Sequence, residues 1–298
     1  MSHDHGVKNY NLSFALGVSL NIIFVIVEVS YGIYADSLAL IADAWHNLSD
    51  VVGLLLAWGA NYLATRPATE RRTYGLRRVT ILASLTSSVL LLLALGGIAW
   101  EAVERFYSPA PVEGIVIIAV AAVGVVINTA TALLFVSGGK HDLNIRGAYL
   151  HMAADAAVSL GVVVAGGAIM FTGWLWLDPL ISLFIVFIVL IGTWNLLRDS
   201  LNLSIDAVPK GIELSEIREY LENIEDVVQV HDLHVWALST TQTALSVHLI
   251  RSNENVDNSF LNEVHRYLHD RFHIEHVTIQ IEKSDGSNGC RLNYPECR

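Results

Sequence analysis

Asp43-Ala44-Trp45-His46-Asn47-Leu48-Ser49-Asp50 lies inside an apolar run from Ser37 to Ala64. A second stretch, His151-Met152-Ala153-Ala154-Asp155, answers it from inside another apolar run, and each carries His-x-x-x-Asp. In a helix, residues i and i+4 stand one above the other on one face, about 5–6 Å apart at Cβ. Two such helices face to face present two imidazoles and two carboxylates to a single point. Ionisable groups at membrane depth are costly and face a protein interior or a water-filled path. The pattern therefore reads as a metal site inside a membrane.

Working outward, the chain is 53% hydrophobic and 16% charged over 298 residues. Soluble domains carry about 25% charge. The bias is uneven: from Ile205 onward there are sixteen acidic residues against eight Lys or Arg, −8 of the formal −11. A membrane region gives way to a soluble one near Ser200–Pro209. The acidic balance argues against a nucleic-acid partner, which wants a basic patch. The only cysteines are Cys290 and Cys297, too few for a disulfide framework. The first apolar run, Leu12 to Ile33, exceeds a signal peptide's apolar region.

Six apolar runs predict transmembrane helices at 11–33, 38–64, 79–100, 113–136, 145–171 and 174–197, each long enough for a bilayer core of about 30 Å. Basic residues in the connecting loops set the orientation. Lys8, Arg66, Arg71, Arg72, Arg77, Arg78, Lys140, Arg146 and Arg198 fall on one side and Arg105 alone on the other. Both termini are thus expected in the cytoplasm, as a multi-pass protein of the cell's inner membrane. Trp174 and Trp176 fit the outer interfacial belt and Trp194 the inner one.

The tail reads as a small α/β domain. Leu214–Leu221 and Phe260–Leu268 have helical apolar spacing; Val227–Leu238, Thr243–Ile250 and Val277–Ile281 read as strands, the first two joined at Ser-Thr-Thr-Gln. The order αββαβ predicts a ferredoxin-like sheet with helices on one face. The expected organisation is an N-terminal tail 1–10, a six-helix transmembrane bundle 11–200, a cytoplasmic ferredoxin-like α/β domain 205–283 and a polar tail 284–298.

In the bundle, the second helix descends and the fifth ascends, which puts His46 level with Asp155 and Asp50 level with His151. A tetrahedron of two nitrogens and two oxygens suits Zn²⁺; Ca²⁺ and Mg²⁺ want more oxygens, and Cu⁺ wants sulfur. Two carboxylates also offset the ion's charge in a low dielectric. Asp43 shares their stripe, and is expected either to support the ligands from behind or to face outer water. Glu28 and Asn128 are expected to be structural polar contacts inside the bundle.

Five stretches together resemble the cation diffusion facilitators, in particular their bacterial zinc-exporting branch. They are Asp36–Asp50, Arg72-Thr-Tyr-Gly-Leu-Arg-Arg78, Leu143–Asp155, Val230-His-Asp-Leu-His-Val-Trp236 and His276-Val-Thr-Ile-Gln-Ile-Glu282. The resemblance implies a homodimer, Zn²⁺/H⁺ antiport out of the cytosol, and Zn²⁺ both as transported substrate and as an ion held in the cytoplasmic domain. His46 matches the zinc-preferring version of the motif; some relatives carry Asp there. His231, His248 and Glu282 match tail positions that bind zinc in similar proteins, and Cys290 and Cys297 match terminal residues that join such a site. His234, three residues beyond His231, falls on the opposite face of a regular strand. The loop 66–78 has Glu70 but no His, so no metal is expected there. His3, Asp4 and His5 form a weak chelating patch, and the short loop before the fifth helix offers only His141 and Asp142. The competing readings are an intramembrane metalloenzyme, which needs an open coordination position and a general base, and a metal sensor without transport, which leaves the four buried ligands unexplained.

Overall fold

A computed structural model describes residues 11–136, 143–252 and 258–283. His3, Asp4, His5, His141, Asp142, the tail 284–298 with Cys290 and Cys297, and the side chain of His151 lie outside the described residues. The chain forms two compact units. Of the described residues, one takes those up to Leu55 together with those of Ser87–Asn195; the other takes Leu56–Thr86 and those from Leu196 onward.

Six long helices come first: α1 (Asn11–Tyr34), α2 (Leu38–Ala64), α3 (Val79–Tyr107), α4 (Gly114–Val136), α5 (Leu143–Thr172) and α6 (Leu177–Ser204). Among the described residues Val79–Tyr107, Gly114–Leu133, Met152–Thr172 and Leu177–Ser204 are long and apolar enough to cross a membrane. Two helices outrun their apolar segments. α3 continues past Trp100 through Glu101-Ala-Val-Glu-Arg-Phe-Tyr107, where Glu101, Ala102, Glu104 and Arg105 favour helix and Glu101 pairs with Arg105 (i,i+4) at 3.0 Å, and stops before Ser108-Pro109. α6 runs past 197 to Ser204, with no Pro or Gly to break it. It also starts later than hydropathy suggests. Gly173 sits at φ +71°, a conformation that favours glycine, and turns the chain so that Trp174 and Trp176 stack at 5.8 Å before the helix begins.

In the first unit α4 and α5 pack closely. A Cβ on Gly124 would lie 2.6 Å from Phe24 Cζ and 3.1 Å from Ser159 Oγ, so α4 meets α1 and α5 through this glycine. Phe24, Leu40, Leu95, Ile117, Val162 and Ile185 fill the space between the helices.

The second unit contains α7 (Leu214–Glu222), β1 (Val227–Ala237), β2 (Thr243–Arg251), α8 (Asn258–Phe272) and β3 (Ile274–Lys283). The sheet order is β1-β2-β3; β1 and β2 are antiparallel, closed by Leu238 N–H donating to Gln242 O at 2.8 Å, and β3 returns through α8 to lie parallel to β2. Ile217 and Leu221 of α7 and Val264, Leu268 and Phe272 of α8 bury against Val235, Leu245, Val247 and Leu249 of the sheet. This is an αββαβ domain with its helices sharing one apolar core.

Candidate metal centres

The position of α2 is fixed at its first turn. Helix N-termini leave backbone N–H groups unsatisfied. Here the buried carboxylate of Asp178, from the start of α6, accepts from Leu38 N–H (2.8 Å), Ala39 N–H (3.3 Å) and Ser37 Oγ (2.5 Å). A negative group at this end is also favoured by the helix dipole. Just before it, Asp36 takes φ +50°, and its backbone oxygen and carboxylate are both held by Arg105 of α3.

Two turns further along, His46 Nε2 lies 3.1 Å from Asp155 Oδ1 on α5, and His46 Nδ1 lies 3.8 Å from Asp50 Oδ2. One ligand atom from each of His46, Asp50 and Asp155 falls within 4.8 Å of the others. Asp155 is 2% exposed and the His46 side chain 16%. Three of the four residues singled out in the sequence therefore meet at one point; the side chain of the fourth, His151, is not described.

A layer of buried polar groups continues toward the start of α2. Asp43 is fully buried and accepts from Ser159 Oγ of α5 at 3.0 Å, so it does not face outer water. Glu28 of α1 is equally buried and accepts from Asn47 Nδ2 at 3.2 Å. Asn128 of α4 is fully buried too.

A second cluster forms on the sheet. His231 of β1 sits directly opposite His248 of β2, and Glu282 of β3 lies two residues beyond His248's partner Gln280, on the same face. His231 Nε2 is 3.5 Å from Glu282 Oε2, and His248 Nδ1 is 3.1 Å from Glu282 Oε1. Ligand atoms of these three also lie within 4.8 Å of one another. His231 is 2% exposed, and neither ring nitrogen has a hydrogen-bond partner among the described residues. A buried imidazole so placed fits a site built for a cation, because unsatisfied buried polar groups are otherwise costly. His234 is exposed and stands apart from the three.

Asp232 is the residue that sequence reasoning missed. The β1–β2 register shifts between His231 and His234, and Asp232 takes φ +51° at this bulge. The kink turns its carboxylate to His248 Nε2 (3.5 Å) and His234 Nε2 (3.0 Å). The available signal was an Asp interrupting a β-rich run, since Asp is poor in strands and tolerates left-handed backbone.

Apolar helices that converge on buried histidine and carboxylates, joined to a small sheet domain with a second such cluster, define a metal-handling membrane protein. Comparison with known proteins agrees. Residues 14–203 match the family described as the cation efflux transmembrane domain, and residues 209–284 match the cation efflux protein cytoplasmic domain. The chain belongs to the cation efflux family; it is a membrane transporter and not an enzyme. It is 39% identical over 282 residues to the metal cation efflux system protein CzcD of Cupriavidus metallidurans, covering 94% of this chain and 89% of that one. It is 36% identical over 263 residues to the cadmium, cobalt and zinc/H⁺-K⁺ antiporter of Bacillus subtilis (87% and 85% covered). Over 293 residues it is 36% identical to the zinc transporter ZitB of Escherichia coli (95% and 93% covered).

Proposed function

We propose that this protein exports Zn²⁺ from the cytoplasm in exchange for protons. It would work as a homodimer with six membrane-spanning helices per subunit and both termini in the cytoplasm of the inner membrane. The transport site is His46, Asp50, His151 and Asp155, a two-histidine, two-carboxylate set suited to tetrahedral Zn²⁺. The observation that carries this reading is the convergence of His46, Asp50 and Asp155 from two helices inside the first unit. The names of the relatives, which include zinc transporters and an antiporter using H⁺, support it.

The contact between His46 and Asp155 suggests how exchange occurs. A hydrogen bond between an imidazole nitrogen and a carboxyl oxygen holds one proton between them, and that same nitrogen and oxygen are the ligands a cation needs. Entry of Zn²⁺ and departure of the proton are then one event, because ligands bind metal only when deprotonated. Reorientation of the site to the other side of the membrane lets outside protons displace the ion, in the general scheme of alternating access. His231, His248 and Glu282 would hold a resident Zn²⁺ in the cytoplasmic domain, with Asp232 at its edge. The test is zinc uptake into proteoliposomes by wild type and Asp50→Ala. Wild-type flux with the variant silent supports the site, whereas near-normal flux by the variant removes it.

A further inference from the structure

A cavity of about 520 Å³ opens inside the second unit, between the end of α2, the loop that leads to α3, the β1–β2 turn and the start of β3. Its walls carry Arg66, Arg77, Thr73, Tyr74, Thr241 and His276, with further hydroxyls from Thr65, Thr80 and Ser239, and no Asp or Glu lines it. This composition runs against its surroundings, since the chain from Ile205 onward carries sixteen acids and eight Lys or Arg. Other arginines of the same loop are not in the cavity. Arg78 pairs with Asp206 at 2.6 Å, and Arg71 and Arg72 do not line it. Arg66 donates one Nη to Tyr62 Oη at 2.7 Å and lies 4.9 Å from the centroid of that ring, neutral partners, and it has no carboxylate partner among the described residues. Arg77 has no carboxylate partner among the described residues.

The loop backbone brings both arginines to the wall of one cavity. Gly75 takes φ +71°, and a Cβ there would lie 3.1 Å from the backbone oxygen of Arg66. The loop thus folds back onto the chain just after α2, bringing Arg77 to the cavity that Arg66 enters. Two arginines lining one cavity with no carboxylate among its walls offer paired donors to an anion. Guanidinium forks match phosphate oxygens in pairs, and the hydroxyls of Thr73 and Thr241 supply neutral donors beside them.

We infer that this cavity binds a phosphate group. The volume is within the range of small-molecule sites and exceeds what a lone anion needs. On the orientation proposed above it lies at the cytoplasmic end of α2, where anionic lipid headgroups concentrate. Phosphate chemistry is shared by a phosphatidylglycerol headgroup and by free phosphate, and the two sources separate experimentally.

The experiment uses the full-length protein in detergent. Retention of dioleoylphosphatidylglycerol is titrated by native mass spectrometry against dioleoylphosphatidylcholine, and inorganic phosphate is titrated by calorimetry. Saturable, selective binding of the first identifies the lipid source, and binding of the second identifies the free anion. The paired substitution Arg66→Gln with Arg77→Gln should weaken whichever binds at least about tenfold, the loss expected for charge-assisted hydrogen bonds. The control pair Arg71→Gln with Arg72→Gln removes equal charge outside the cavity and should change binding less than about twofold. Thr241→Glu places a carboxylate in the cavity while both arginines stay, and should weaken binding as the first pair does. Binding of neither probe by the wild type, or equal loss in the two arginine pairs, overturns the inference.

Discussion

The two His–carboxylate clusters use the same donors on different backbones. On the helices, His46 and Asp50 stand at i and i+4 of α2, and Asp155 joins them from 109 residues after His46. On the sheet, β1, β2 and β3 each give one residue, so His231, His248 and Glu282 meet only when the register is right. A helix carries half its site in local spacing. A sheet cluster exists only through long-range pairing, and a slip of one residue would turn a ligand to the other face. On the function proposed above, the helical pair serves a site whose two halves move apart and together, and the sheet cluster, held by pairing of β2 with both of its neighbours, suits a resident ion.

The sharpest break between them is in flux. Asp155→Ala should lower zinc transport in proteoliposomes by at least about 100-fold, beyond the range of a residue that only supports a ligand. His231→Ala should change it only a few-fold, as expected for an ion outside the pathway. Equal losses would mean that the clusters are not functionally distinct.

Next comes the way each cluster is held. Asp178→Ala leaves Ser37 Oγ and two backbone N–H groups at the start of α2 without their acceptor. It should cost about 3 kcal/mol and lower the thermal midpoint by several degrees. The zinc affinity of the sheet cluster, read by calorimetry in the same variant, should not move. Glu282→Gln should do the reverse. It should weaken that affinity about tenfold, because a neutral amide replaces the carboxylate proposed as a ligand, while leaving the midpoint of the zinc-free protein within a degree or two.

The smallest effect expected is on selectivity. His46→Asp replaces a nitrogen ligand with oxygen and should raise the ratio of Cd²⁺ to Zn²⁺ transport a few-fold, since added carboxylate relaxes the geometry around a larger ion. Side-by-side flux at equal concentrations measures it, and an unchanged ratio would place selectivity elsewhere.

These differences also explain what the sequence reveals. α2 and α5 and their ligand spacing are legible because helical period and hydropathy are local properties. The ends of α3 and α6 are not, because helix continues through Glu101–Tyr107 and Arg198–Ser204 after the apolar signal stops. Asp178 gives no local sign of its role, which depends on α2 starting 140 residues earlier. Of the sheet cluster, His231, His248 and Glu282 stand out only through family resemblance, and Asp232 not at all, since its orientation is a product of the bulge. The buried polar layer is legible in part: Asp43 and Glu28 stand out as acids in apolar runs, whereas their partners Ser159 and Asn47 are fixed only by packing.

The central claim is exchange of Zn²⁺ for protons at the α2–α5 cluster. Its most direct test is zinc flux in proteoliposomes holding a zinc dye, with pH set separately on each side and the direction of the gradient reversed. Protons arriving from the side opposite the metal should displace it from the imidazoles and carboxylates, and protons on the metal's own side should block loading. The account predicts that Zn²⁺ moves toward the acidic side, and that reversing the gradient reverses net flux in the wild type while leaving Asp155→Ala silent. Net flux that follows the zinc gradient alone, unaltered by reversal, would contradict it.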